Sequence, residues 1–170
     1  MSLTAEQRLI ALRIVTRMRD IPRHEATLDL AIAAFGERFD EARFVEAAVS
    51  KDPAQLLLVY GVQSGFENLQ NHLAGLARAA LELVGELSTA EPPNTARDLR
   101  RLERLGVITR ARCDTVISFQ RLRNGLQHEY AETAPEELHA AVVLLRGEFR
   151  GFLSDYQRWL KSVIDALDQP

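Results

Sequence analysis

LHAAVVLLRGEFRGFLSDYQRWLKSV, residues 138–163, carries the clearest fold signal in the chain. Leu138, Val142, Leu145, Phe149, Phe152, Tyr156, Trp159 and Val163 follow one another in alternating steps of four and three. Helical residues advance about 100° each, so these side chains form one apolar stripe along a long helix. Such a stripe is the seam of a bundle whose helices pack nearly parallel to one another. Thr133 with Glu136 reads as the capping box that opens this helix.

Working back toward the N-terminus, helical spacing persists and no convincing alternating strand interrupts it. Thr4 with Gln7 resembles a capping box, followed by Ile10, Ile14 and Met18 at helical intervals. Pro22 is expected to close that first helix. A second helical stretch runs from about Glu25 to Val49, with a break expected near Gly36 or Asp40. Asp52-Pro53 is a good helix start, because the aspartate caps free N–H groups and proline has no N–H to lose. That helix can continue to about Leu87. Gly61, Gly65 and Gly75 within it either weaken it or let another helix approach closely. Residues 88–94, with Pro92 and Pro93, are the clearest loop. A short arginine-rich helix follows and ends at Gly106. Thr109 can cap the next helix, which should stop near Tyr130. The fold expected is all-α: one antiparallel helical bundle over residues 1–170, with residues 1–22 as an extra N-terminal helix.

Composition agrees with that picture. The chain has 170 residues, 46% hydrophobic and 26% charged, which suits a single globular domain with a real core. The single Cys113 has no intrachain disulfide partner, and the N-terminus lacks the apolar run of a secretory signal. A cytoplasmic location without membrane association is therefore expected. The net charge of −3 does not mark a general nucleic-acid binder. Between Arg97 and Arg123, however, eight arginines stand against Asp98, Glu103 and Asp114. This stretch attracts phosphate or is simply a solvated, ion-paired face, and both readings stay open. No metal is implied, since His24, His72, His128 and His139 form no ligand-spaced cluster with Cys113. No phosphate-binding glycine loop or other cofactor motif is present.

Chemistry concentrates in RLRNGLQHEY, residues 121–130. On a helical wheel Cys113, Val116 and Ile117 share one arc, which Gln120, Arg123, Asn124 and Gln127 continue as a polar stripe. Phe119, Leu122 and Leu126 hold a second apolar arc. A helix with two occupied faces is central in a bundle or touches another subunit. Asn124 and His128 are four apart and can touch. Arg123 and His128 are five apart, so about 140° separates them. Two copies of the helix related by a two-fold axis could bring an arginine and a histidine into one cleft. Histidine can take a proton from one oxygen and return one to another. Arginine forks onto phosphate oxygens and stabilises developing negative charge. Together they suit metal-free cleavage of RNA, with the ribose 2′-hydroxyl attacking its neighbouring phosphate. Arg121 and Arg112 are further candidates for phosphate contact. The plainer reading is a structural arginine and a core histidine, whose removal would destabilise the fold.

Arg123-Asn124-Gly125-Leu126-Gln127-His128-Glu129-Tyr130 resembles the signature of HEPN-domain ribonucleases, and in particular that of the HepT-like toxins. Their pattern is arginine, four residues, histidine, one residue, tyrosine, with asparagine commonly after the arginine. Residues 102–108, LERLGVI, and the helix start at Thr133-Ala134-Pro135-Glu136 resemble that family's context, and the likeness extends over residues 52–159. The resemblance implies a homodimeric endoribonuclease toxin with Arg123 and His128 as catalytic pair and Asn124 as support. It also implies a small nucleotidyltransferase antitoxin that attaches AMP to Tyr130, placing bulk and negative charge beside the site. Non-cutting members of the family bind nucleotides or serve as partners of nucleotidyltransferases, which is the alternative reading.

Overall fold

The computed structural model describes residues 3–88, 90–128 and 134–167; within these, the side chains of residues 121, 123–128 and 167 lie outside the description. Six helices make up the described residues: α1 (Ala5–Ala33), α2 (Glu41–Ala48), α3 (Pro53–Leu83), α4 (Thr95–Arg104), α5 (Arg110–His128) and α6 (Pro135–Leu167). The all-α bundle is thus observed, with α3 at its centre, packed on each of the other five helices.

Local chemistry explains where most helices begin. The Gln7 amide donates to Thr4 Oγ1 at 3.1 Å while the Thr4 amide donates to Gln7 Oε1 at 3.0 Å, closing the expected capping box. Asp40, Asp52 and Asn94 each accept a backbone N–H from the first turn of α2, α3 and α4. The Arg112 amide donates to Thr109 Oγ1 at 3.3 Å at the head of α5. Gly85 and Gly106 follow α3 and α4 with φ of 76° and 70°, the left-handed geometry in which a side chain is costly. On α6 the whole expected stripe turns inward: Leu138 through Tyr156 are buried, and Trp159 and Val163 pack half-buried on the same core.

The N-terminal boundary differs from the sequence expectation. Pro22 lies inside α1 and does not close it. An internal proline removes one backbone hydrogen bond and crowds the preceding turn, a cost of about 3 kcal/mol. Tertiary packing offsets that cost, because Ile10, Ile14, Ile21, Leu28 and Ile32 on both sides of Pro22 are buried. Residues 1–22 are therefore not a separate helix. Those described form the first part of a continuous α1 laid antiparallel along α3.

That contact is close because of two glycines. A Cβ at Gly65 would lie 2.8 Å and 2.9 Å from side-chain atoms of Leu28 and 3.2 Å from its Cα. Gly75 leaves the space occupied by the Arg17 guanidinium. Between them, His24 of α1 and His72 of α3 face each other with ring centroids 4.8 Å apart. At the other end of α1 the chain turns through Gly36 (φ 94°) and Phe39 (φ 52°). Positive φ is rare for phenylalanine. It is held by packing against Phe35, Phe44 and His139 and by a 2.7 Å hydrogen bond between the His139 ring and the Phe39 carbonyl. That knot ties the α1–α2 turn to the start of α6.

Helix directions follow from the cross-links. Leu28 meets Gly65 and Gln7 donates to the Leu83 carbonyl, so α1 runs antiparallel to α3. The Tyr156 hydroxyl donates to the Leu76 carbonyl at 3.2 Å, while Leu69 and Phe149 share a cleft, so α6 runs parallel to α3. Burial raises the Tyr156 phenol well above its ordinary range, keeping it a neutral donor. The α5–α6 hairpin leaves α5 antiparallel to both.

Gly65→Val should lower unfolding free energy by about 2–3 kcal/mol through overpacking against Leu28. Gly147→Ala on the exposed face of α6 should raise it by about 0.5–1 kcal/mol, since nothing lies within 4 Å of the added Cβ. Urea titration of the two variants checks both signs. Burial, then His24 and Arg17, lower the His72 pKa below the usual 6.5, with Asp20 acting in the opposite direction. The folded state thus binds fewer protons than the unfolded chain. The associated stability is complete above pH 6.5 and is lost as pH falls below it through the folded-state value. The urea midpoint should drop across that window in the wild type and drop less in His72→Gln.

Candidate functional site

The last two turns of α5 carry the motif, and the preceding turns determine where they point. Cys113, Val116, Phe119 and Gln120 are buried, Ile117 and Leu122 are half-buried, and Ala111, Asp114 and Ser118 face solvent. The described members of the two arcs read from the sequence therefore join into one broad inward face, opposite exposed Ala111, Asp114 and Ser118. Phe119 meets Phe66 of α3 edge to face at 6.2 Å. Gln70 of α3 donates through Nε2 to the Phe119 carbonyl at 3.1 Å. Such bonds to backbone from a fully buried amide fix the rotation of α5 about its axis.

The backbone of α5 remains helical through His128. Arg123, Asn124 and His128 therefore lie on one continuous helix, as does Arg121; their side chains are outside the described set. Tyr130 lies outside the described residues altogether. A helical rise of about 1.5 Å per residue separates Arg123 and His128 by about 7.5 Å along the axis.

Arg112 can be placed fully. Its guanidinium sits against Gly151 and pairs with two carboxylates of α6, Glu148 at 3.1 Å and Asp155. It serves as a clamp between α5 and α6, and any phosphate would compete with both partners. The same holds for much of the arginine-rich stretch. Arg97 pairs with Glu91 and Asp98, Arg100 with Glu103 and Asp114, and Arg101 with Glu91. Arg97 and Arg101 share Glu91, and Arg97 also neutralises buried Asp98, which Arg78 approaches from α3 at 3.9 Å. Exposed Arg104 and Arg110 form no ion pair among the described residues. Between the two readings of this stretch, its first half is an ion-paired face.

Cys113 is buried within the α5 core contact, and burial raises its thiol pKa, so it is not poised as a nucleophile.

Alongside the motif turns, α3 carries polar residues that sequence reasoning passed over. Gln63 and Gln70 are buried, and Gln63 Nε2 donates to Glu67 Oε1 at 3.1 Å. Among the described residues, Gln70 Oε1 and Gln120 Nε2 are buried without a hydrogen-bond partner. Buried amides cost energy unless used, so a polar seam between α3 and α5 is unusual within an apolar core. A signal was present in the sequence: Gln63, Glu67 and Gln70 recur at helical spacing along one line of α3.

The chain matches no family model, no curated protein and no solved structure. No helix among the described residues is long and apolar enough to cross a membrane.

Arg112→Ala should lower stability by about 1–2 kcal/mol, because it leaves Glu148 and Asp155 facing each other without their cation. The loss should shrink in high salt, where that repulsion is screened, and thermal melts at two ionic strengths check it.

Proposed function

We propose that this protein is a metal-independent endoribonuclease that acts as a homodimer. The observation that carries the reading is the sequence run of Arg123-Asn124 and His128 on the last turns of α5, with Tyr130 two residues further along the chain, after turns locked into the core. A rigid helix end is a sound base for catalytic groups, since positioning is where much of catalytic power resides. In the proposed reaction the ribose 2′-oxygen attacks the adjacent phosphorus as the bond to the 5′-oxygen breaks, leaving a 2′,3′-cyclic phosphate and a 5′-hydroxyl. His128 moves the proton, taking it from the 2′-hydroxyl or delivering it to the departing oxygen. Arg123, from the partner copy of the helix, stabilises the charge that builds on the phosphoryl oxygens. Asn124 orients the histidine, four residues along the same helix.

The resemblance to HepT-like toxins extends this to a toxin–antitoxin pair. A small nucleotidyltransferase would silence the enzyme by attaching AMP to Tyr130, because added negative charge beside the site repels the substrate phosphate. The ion-paired state of Arg97, Arg100, Arg101 and Arg112 favours recognition of RNA at a confined groove over broad electrostatic attraction. The same ion pairing also suits the second reading, a non-cutting partner of a nucleotidyltransferase.

In EDTA, purified protein should cleave single-stranded RNA to products ending in a 2′,3′-cyclic phosphate. His128→Ala and Arg123→Ala should each reduce the rate by about 10²–10⁴-fold with melting temperatures near the wild type. Equal cutting by wild type and His128→Ala would assign the activity to a contaminant. No cutting by either would leave the non-catalytic partner as the reading.

A further inference from the structure

The face of α3 beside the motif holds an open cleft of about 430 Å³ lined by Tyr60, Gln63, Ser64 and Glu67. That volume falls within the range of roughly 300–1,000 Å³ usual for small-ligand sites. Its position relative to the motif follows from helix register. Gln70 is bonded to the Phe119 carbonyl of α5. Gln63 lies two turns N-terminal of Gln70 on the same line of α3, about 10.5 Å along the axis. Since α5 runs antiparallel to α3, seven residues beyond Phe119 bring its backbone level with Gln63 at the turn spanning residues 123–127. The cleft and the motif turns thus occupy the same end of the bundle.

The lining has a chemistry of its own. Tyr60 is 53% exposed, so its aromatic ring is within reach of a ligand in the cleft. Glu67 is half-buried, with one carboxylate oxygen receiving Gln63 Nε2 at 3.1 Å. Each carboxylate oxygen can accept more than one hydrogen bond, so Glu67 keeps acceptor capacity toward the cleft. Ser64 adds an exposed hydroxyl. An aromatic platform beside a carboxylate suits an unstacked nucleobase better than a phosphate, which Glu67 repels.

We infer that the cleft formed by Tyr60, Gln63, Ser64 and Glu67 is a nucleobase subsite that selects guanine in single-stranded RNA. The inference deepens the ribonuclease reading and rests on it for the identity of the polymer. The selection is a matter of donor and acceptor patterns. Guanine alone presents two adjacent donors on its Watson–Crick edge, N1–H and N2–H, which match the two oxygens of one carboxylate. Adenine and cytosine each place a ring-nitrogen acceptor next to a single amino donor, and that acceptor would face a carboxylate oxygen. Uracil flanks its one N–H with two carbonyls. A mismatch of this kind leaves buried polar groups facing like partners and is costly. Gln63 holds Glu67 in place, and Tyr60 supplies stacking that is indifferent to base identity.

The test is binding, separate from cleavage. Fluorescently labelled tetranucleotides UUGU, UUAU, UUCU and UUUU, fully 2′-O-methylated so that no 2′-hydroxyl can attack, are titrated with the full-length protein and followed by anisotropy. The guanine oligonucleotide should bind at least tenfold more tightly than the other three. Glu67→Gln should abolish that margin and shift preference toward adenine and cytosine, because an amide presents one donor and one acceptor. Tyr60→Ala should weaken all four by about tenfold. Equal binding of the four by wild type, binding of none, or a guanine margin that persists in Glu67→Gln overturns the inference. The ribonuclease reading is judged by the His128→Ala cleavage assay alone. A guanine margin without cleavage sinks that reading and leaves the subsite standing, while cleavage without a margin does the reverse.

Discussion

Close packing of α1 on α3 at Gly65 and Gly75 is the constraint on which the rest of the bundle depends. Leu28 lies so near Gly65 that a methyl group there would overlap it, and Arg17 fills the space beside Gly75. The interior is packed at near-crystalline density, so such contacts set the distance between helix axes. Because α3 also packs on α2, α4, α5 and α6, the line it takes beside α1 determines where every other helix can lie. The long α1 survives Pro22 for the same reason, as the apolar surface buried on α3 outweighs one missing backbone bond.

From α3 the constraint passes to α5. Phe66 and Gln70 grip Phe119, one through its ring and the other through its carbonyl. Arg112 clamps the opposite end of α5 to α6 through Glu148 and Asp155. A helix held at two levels has little freedom to rotate. The backbone of its last turns, through His128, continues from that fixed base. The polar seam of Gln63, Gln70 and Gln120 follows the same route along α3 and α5. It links the packing of the core to the cleft beside the motif.

Charge is handled locally. Arg97, Arg100 and Arg101 of α4 and Arg112 of α5 meet nearby carboxylates, and buried Asp98 and Glu82 are matched by Arg78, with Arg97 and Arg13 as further partners. Taking a carboxylate out of water is costly unless a cation accompanies it, so this arrangement secures the α3–α4 junction. It also removes most of the positive field that a count of arginines suggests.

The amino-acid sequence by itself determined the helices, most of their boundaries and the inward stripe of α6. Capping at Thr4, Asp52 and Thr109, the stop at Gly106 and the period of Leu138 through Tyr156 are local chemistry, decided by neighbours a few residues away. The motif at Arg123, Asn124, His128 and Tyr130 was equally plain to read, since its residue types and spacing are sequence properties. Tertiary structure alone decided what distant residues do to one another. It carried α1 through Pro22, joined the described members of the two α5 arcs into one inward face, and committed Arg112 to Glu148 and Asp155. It also brought Tyr60, Gln63 and Glu67 level with the motif turns, 60 residues away in the chain. Burial and ion pairing depend on which helix lies opposite, and no local periodicity contains that information.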